Sequence, residues 1–260
     1  MRLTLAVPAL ILVLTVAGAS AAKPGDASYL TDQGAPDMVR ILPPPPPPGG
    51  PEDQADKQIF TATRALEGTP RWQLAISDAD EGAILADLSC AAGVTLSAQA
   101  TPHLAALIDK MRPDVSRGGN APKTYYLRPR PFFSLPDAIC TPRGDNISAD
   151  YPSGHASWGW AVGLVLAELD PDRATEILTR ARAFGESRVV CGVHNASSVE
   201  ASRTVASSVV AALHGSADFR ADMDAARAEL ASLRAAAGPA PAPAACAVES
   251  DLTAHTPWRP

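Results

Sequence analysis

Tyr151-Pro152-Ser153-Gly154-His155, running into the apolar stretch Trp158 to Leu169, decides how this chain is read. The stretch is apolar all round and is closed by Asp170-Pro171, so it predicts a buried helix rather than a surface one. At its entrance a Ser, a Gly and a His supply a hydroxyl, an unobstructed backbone N–H and an imidazole. Backbone N–H groups and the dipole at a helix N-terminus make such a junction a natural anion site. Lys123 and Arg130 upstream, and Arg188 and His194 downstream, carry the remaining groups such a site needs.

Working outward, helical patterns recur. Asp53 to Leu66 and Trp72 to Ala86 flank Gly68-Thr69-Pro70, and Pro102 to Met111 follows with His103 in its first turn as a surface or structural residue. Residues 112 to 122 are rich in Gly, Pro and Asn and predict a loop. Prolines 129, 131 and 136 break any regular helix after Lys123. Leu135 to Tyr151 then predicts a polar loop. A helix over Asp172 to Phe184 has Asp170 as N-cap, Pro171 at its first position and Gly185 past its end. Ser187 to His194 predicts a short connection, Ser197 to Leu213 a helix, and Asp218 to Ala236 an amphipathic helix. No stretch alternates as a strand does. The fold class is all-α, a packed helical bundle.

The ends read differently. Arg2, the apolar Leu3 to Val16 and the small Ala19-Ser20-Ala21 make residues 1–21 an export signal peptide. The competing reading, an uncleaved anchor, asks a short apolar run to span a bilayer. Residues 22–51 form a loosely ordered arm with Pro43 to Pro48 as extended polyproline, lying on the domain or serving as a spacer. Residues 52–236 form the folded domain and 237–260 a low-complexity Ala/Pro tail.

The chain has 260 residues, 46% hydrophobic, with formal net charge −6, which gives no sign of a nucleic-acid partner. Its cysteines, Cys90, Cys140, Cys191 and Cys246, suit disulfides in an exported protein, periplasmic or secreted. Cys140 and Cys191 flank the two halves of the proposed site and are the favoured pair, leaving Cys90 with Cys246. Buried free thiols are the alternative. No cysteine or histidine spacing suggests zinc, and no metal or other cofactor is expected.

Phosphoryl transfer needs cations and N–H donors for the equatorial oxygens, an in-line nucleophile and an acid for the leaving group. Lys123, Arg130 and Arg188 provide cations, two of them forked guanidiniums. Ser153 and Gly154 provide donors, and His155 and His194 provide imidazoles that can divide the nucleophile and acid roles. Taken singly each has a dull alternative, such as a surface charge, a helix cap or a structural histidine. The combination points to phosphate chemistry.

Lys123-x6-Arg130-Pro131, Pro152-Ser153-Gly154-His155 and Ser187-Arg188-x5-His194 together resemble the three-part motif of the PAP2 superfamily. Tyr-Pro-Ser-Gly-His, Ser-Arg-Val-Val-Cys-Gly and the proline arm look like the bacterial class A non-specific acid phosphatases within it. The resemblance spans about Leu42 to Leu233. It implies an all-helical exported phosphatase, often oligomeric, acting on small phosphomonoesters without a metal and without a stable membrane anchor. It further implies that His194 attacks phosphorus, that His155 protonates the leaving alkoxide, and that Lys123, Arg130, Ser153, Gly154 and Arg188 bind the phosphoryl oxygens. Vanadate-dependent haloperoxidases share the motif and are a less favoured alternative.

One position departs from that pattern. An Asp four residues after the nucleophilic His is expected to orient its ring, and here the position is Ser198, with Asn195 where class A has Trp. A hydroxyl carries no charge, and by comparison with the orienting carboxylate of a serine-protease triad the rate would fall by roughly 10²–10⁴-fold. A catalytically weak or inactive phosphate-binding relative is therefore the competing function. Glu200, the nearest carboxylate downstream, either reaches back to His194 or closes a capping box with Ser197. The rotation of about 200° over two helical residues favours the cap. Asp150 is a second conceivable carboxylate, with no geometric support from sequence.

Overall fold

A computed structural model describes residues 28–135, 137–141 and 148–258, so the signal peptide expected over residues 1–21 lies outside the described residues. The helices are α1 (Met38–Ile41), α2 (Pro51–Thr63), α3 (Pro70–Ser77), α4 (Ile84–Ala92), α5 (Pro102–Tyr126), α6 (Gly154–Leu169), α7 (Ala174–Val190), α8 (Ala196–Leu213), α9 (Ala217–Ala235) and α10 (Pro243–Thr253), with no strand among the described residues. The all-α expectation therefore holds.

The apolar run is the axis of the molecule. Helix α6 is packed by α7, α8 and α5, and Ala161, Val162, Val165 and Leu166 are all at most 1% exposed. Each large apolar side chain sequestered this way contributes roughly 1.5–3 kcal/mol. Two glycines set its distance from α7: a Cβ at Gly159 would lie 2.3 Å from the Phe184 ring, and one at Gly163 would lie 2.3 Å from Ala181 Cβ. The close approach brings the N-terminus of α6 beside the C-terminal turn of α7.

Several boundaries differ from the sequence reading. The expected loop over 112–122 is helical: α5 runs 25 residues through Pro113 and Pro122. An internal proline costs about 3 kcal/mol in an isolated helix. Here Leu107, Ile108, Met111 and Val115 bury one continuous face, which outweighs that local preference. Lys123 thereby sits in the last turn of α5. Leu127, left-handed at φ 51°, ends the helix with its N–H donated to Lys123 O and turns the chain toward Arg128 and Arg130.

Helix α7 likewise does not stop at Phe184. Gly185 is inside it, packed against Ala156, and the helix carries Ser187 and Arg188 in its final turns. Asp170 precedes a 3-10 turn, Pro171–Arg173, without a side-chain capping bond, and pairs with Arg234 instead. The predicted helix over Trp72 to Ala86 is divided into α3 and α4 by a break and a 3-10 turn at Glu81–Ala83. The proline arm lies on the domain, with Tyr151 Oη donating to Pro43 O at 2.8 Å. Part of the Ala/Pro tail is ordered as α10, tied to α4 by a Cys90–Cys246 disulfide. Cys140 and Cys191 form the other bridge. None of the helices is long and apolar enough to cross a membrane, among the described residues.

Candidate active site

The end of α5, the start of α6, the end of α7 and the turn before α8 converge on one open cavity of about 640 Å³. Lys123, Arg130, Gly154, His155, Arg188 and His194 all line it. Ser153 is the exception among the expected residues. It is fully buried beneath the cavity, where its Oγ accepts from Ala156 N at 3.2 Å as the N-cap of α6.

The cations share the cavity. Lys123, Arg130 and Arg188 form no ion pair among the described residues, and Arg188 Nε and Nη1 are buried without a hydrogen-bond partner there. Lys123 Nζ donates to Ala149 O at 2.7 Å, and Arg130 Nη1 to Val193 O at 2.9 Å. Burial, reinforced by Arg130, pulls Lys123 down to about 8 and Arg188 to about 10. Like charges held together out of water call for an anion between them.

The imidazoles are held in different ways. His155 stacks on Phe184, with centroids 4.2 Å apart and planes within 7°. Its Nδ1 lies 3.4 Å from Glu81 Oε1, and Nε2 has no partner among the described residues. Burial pulls the His155 pKa below its usual value, while Glu81 opposes that pull. Glu81 is held down to about 2, chiefly by its bond with His155, and also accepts from Arg112 at 2.9 Å. Arg112 in turn lies 4.0 Å over the Trp158 ring. His194 Nδ1 is 2.8 Å from both the backbone oxygen and the Oδ1 of Asp150, which leaves Nε2 as the ring nitrogen free for the cavity. Burial pulls the His194 pKa down to about 3, while its bond with Asp150 opposes that pull.

Of the carboxylates the sequence offered in place of the orienting Asp, Asp150 lies beside the ring and Glu200 does not. Glu200 is on the solvent side of α8, paired with Arg203 at 2.8 Å, so it does not reach His194. It does not close a capping box either, because Asp56 of α2 accepts from Ser197 N at 2.9 Å and from Ser197 Oγ at 2.5 Å. Ser198 Oγ does not contact the ring; it donates to Asp150 Oδ2 at 2.5 Å.

The sequence reading also missed supporting residues. Arg128, 8% exposed, bonds Asp56 at 2.9 Å and Ser197 at 2.7 Å, tying α2 to the start of α8. Ser187 Oγ donates to Asp78 at 2.5 Å, anchoring the turn that carries Arg188. Arg128, just before Pro129, gave no distinct signal, and nothing in sequence singled out Asp56, Asp78 or Glu81. Among the described residues no group of three His, Cys, Asp or Glu is arranged to hold a metal ion.

Fold and site together define an all-helical domain with three cations and two histidines lining one cavity. The chain belongs to the PAP2 superfamily, which it matches over residues 91–221. It is 47% identical over 188 residues to an acid phosphatase of Zymomonas mobilis, covering 70% of this chain and 71% of that one. It is also 34% identical over 215 residues to a non-specific acid phosphatase of Providencia stuartii, with 80% and 87% covered. A non-specific acid phosphatase of Salmonella typhimurium is 34% identical over 198 residues, with 73% and 78% covered.

Proposed function

We propose that this PAP2 phosphatase is an exported acid phosphatase that hydrolyses small phosphomonoesters through a phosphohistidine on His194. The observation that carries this reading is the convergence of Lys123, Arg130 and Arg188 with two imidazoles on one cavity. The cations and the Gly154 backbone N–H receive the phosphoryl oxygens, offsetting the charge that makes a phosphomonoester slow to react. The lone pair of His194 Nε2 attacks phosphorus, and the bond from phosphorus to the ester oxygen breaks. His155, protonated, gives its Nε2 proton to the departing alkoxide. His155 then takes a proton from water, the resulting hydroxide attacks phosphorus, and the P–N bond breaks to release inorganic phosphate and the free His194 ring.

Export is supported by the sequence of residues 1–21 and by two disulfides, which persist in oxidising compartments. The relatives' names support acid phosphatase activity in particular.

The test is steady-state hydrolysis of p-nitrophenyl phosphate between about pH 5 and 7, the range in which an imidazole changes charge. Wild-type turnover with no turnover by His194→Ala is the expected result. Equal rates in the two proteins would end the proposal. Cell fractionation with N-terminal sequencing of the mature chain tests export, and an intact Met1 in the cytoplasm would refute it.

A further inference from the structure

We infer that Asp150 is the positioning residue of the nucleophile: the orienting carboxylate has moved from α8 to the strand of chain before α6, and Ser198 has taken the reciprocal place. This rests on the phosphatase reading of the same site.

Asp150 is fully buried, and every group around its carboxylate is a donor. Oδ1 faces His194 Nδ1 at 2.8 Å and accepts from Asn195 N at 3.2 Å. Oδ2 accepts from Asn195 Nδ2 at 2.8 Å and from Ser198 Oγ at 2.5 Å, with Arg128 Nη1 at 3.5 Å. Only an ionised carboxylate accepts from all of them at once. Burial alone would raise its pKa, but the bonds from His194, Ser198 and Asn195 hold it below the usual carboxylate range.

The consequence for the ring follows directly. Asp150 O and Oδ1, both acceptors 2.8 Å from Nδ1, require the His194 proton there, which fixes the tautomer with Nε2 bare toward phosphorus. The negative charge beside Nδ1 makes Nε2 more basic and stabilises the positive charge the ring acquires as the P–N bond forms. Ser198 and Asn195 act one step back by fixing the carboxylate. The Ser for Asp departure on α8 thus removes no charge from the nucleophile's surroundings, and the activity is not attenuated on its account. The two positions are coupled: a second carboxylate at 198 would face Asp150 where a 2.5 Å hydrogen bond now stands.

Four variants and one spectrum test this: Asp150→Ser, Asp150→Asn, Ser198→Asp and Asp150→Ser/Ser198→Asp, each checked for its melting temperature. The expected result is a loss of roughly 10²-fold or more in kcat for both Asp150 variants, with KM and vanadate affinity within a few-fold of wild type. A merely structural role would lower the melting temperature and spare kcat per folded molecule. Ser198→Asp lowers activity in the wild-type background and raises it in the Asp150→Ser background, a reversal of sign that only direct coupling gives. Wild-type kcat in Asp150→Ser beside an inactive His194→Ala overturns the inference and leaves the phosphatase reading standing. No recovery in a folded double variant also overturns it. Nitrogen NMR of histidine-labelled wild-type protein decides even where a variant fails to fold or turnover is absent altogether. A neutral His194 protonated on Nδ1 supports the assignment, and one protonated on Nε2 refutes it.

Discussion

Helix α6 carries His155 and helix α7 carries Arg188, so the distance between them governs both stability and chemistry. Consider Gly163→Ala. Helix propensity alone favours Ala over Gly by about 1 kcal/mol. The added methyl would sit 2.3 Å from Ala181 Cβ, against about 3.5–4.0 Å for carbons in contact, so α6 and α7 must separate by something over ~1 Å locally. Overpacking of this kind costs about 1–3 kcal/mol, occasionally more. The clash offsets the propensity gain and leaves the variant destabilised by up to about 2 kcal/mol, a fall of up to roughly 8 °C in melting temperature for a domain of this size.

Gly159→Ala, one turn closer to the site, meets the Phe184 ring at the same 2.3 Å, and that ring stacks on His155. It should lose kcat as well as stability, whereas Gly163→Ala should lose chiefly stability. Differential scanning calorimetry paired with p-nitrophenyl phosphate kinetics separates the two. A Gly163→Ala protein that melts higher than wild type would refute the claim that these glycines set the helix spacing.

Further outcomes follow from the charges. Lys123 titrates near 8 in the free protein because of burial and Arg130, so the inhibition constant for inorganic phosphate should climb as pH rises through 8. Lys123→Arg should remove that climb, and an unchanged profile would count against the assignment. Glu81 raises the His155 pKa against burial, so Glu81→Gln should move the alkaline limb of the kcat/KM profile toward acid; a limb that stays put would dismiss Glu81 as its partner. Asp87 is pushed up to about 7 by burial, though Arg180 opposes the rise. An acid with a raised folded-state pKa stabilises the fold fully below its ordinary pKa and loses that contribution as pH rises through the folded value. Asp87→Asn should therefore raise the melting temperature more at pH 8 than at pH 4.5, and a gain equal at both pH values would be the contrary result.

The sequence by itself determined the class of this protein. The long apolar run from Trp158 to Leu169 reads as a buried helix. The same-sign side chains at Lys123, Arg130 and Arg188, with imidazoles at 155 and 194, could be expected to meet because their combination and spacing match the PAP2 motif. The pairing of the four cysteines could also be chosen from their placement around the site. What sequence reasoning could not reach were choices made by packing. Helix α5 persists through Pro113 and Pro122 because its buried face outweighs a local penalty that the sequence states plainly. Gly185 looks like a helix stop and is instead a contact with Ala156. The partner of His194 was sought chiefly at Ser198 and, two residues further, at Glu200, with Asp150 named only as a conceivable carboxylate without geometric support. It is Asp150, 44 positions upstream, brought to the ring by the fold. A hydrogen bond depends on where two atoms are in space, and sequence separation constrains that only within a single helix.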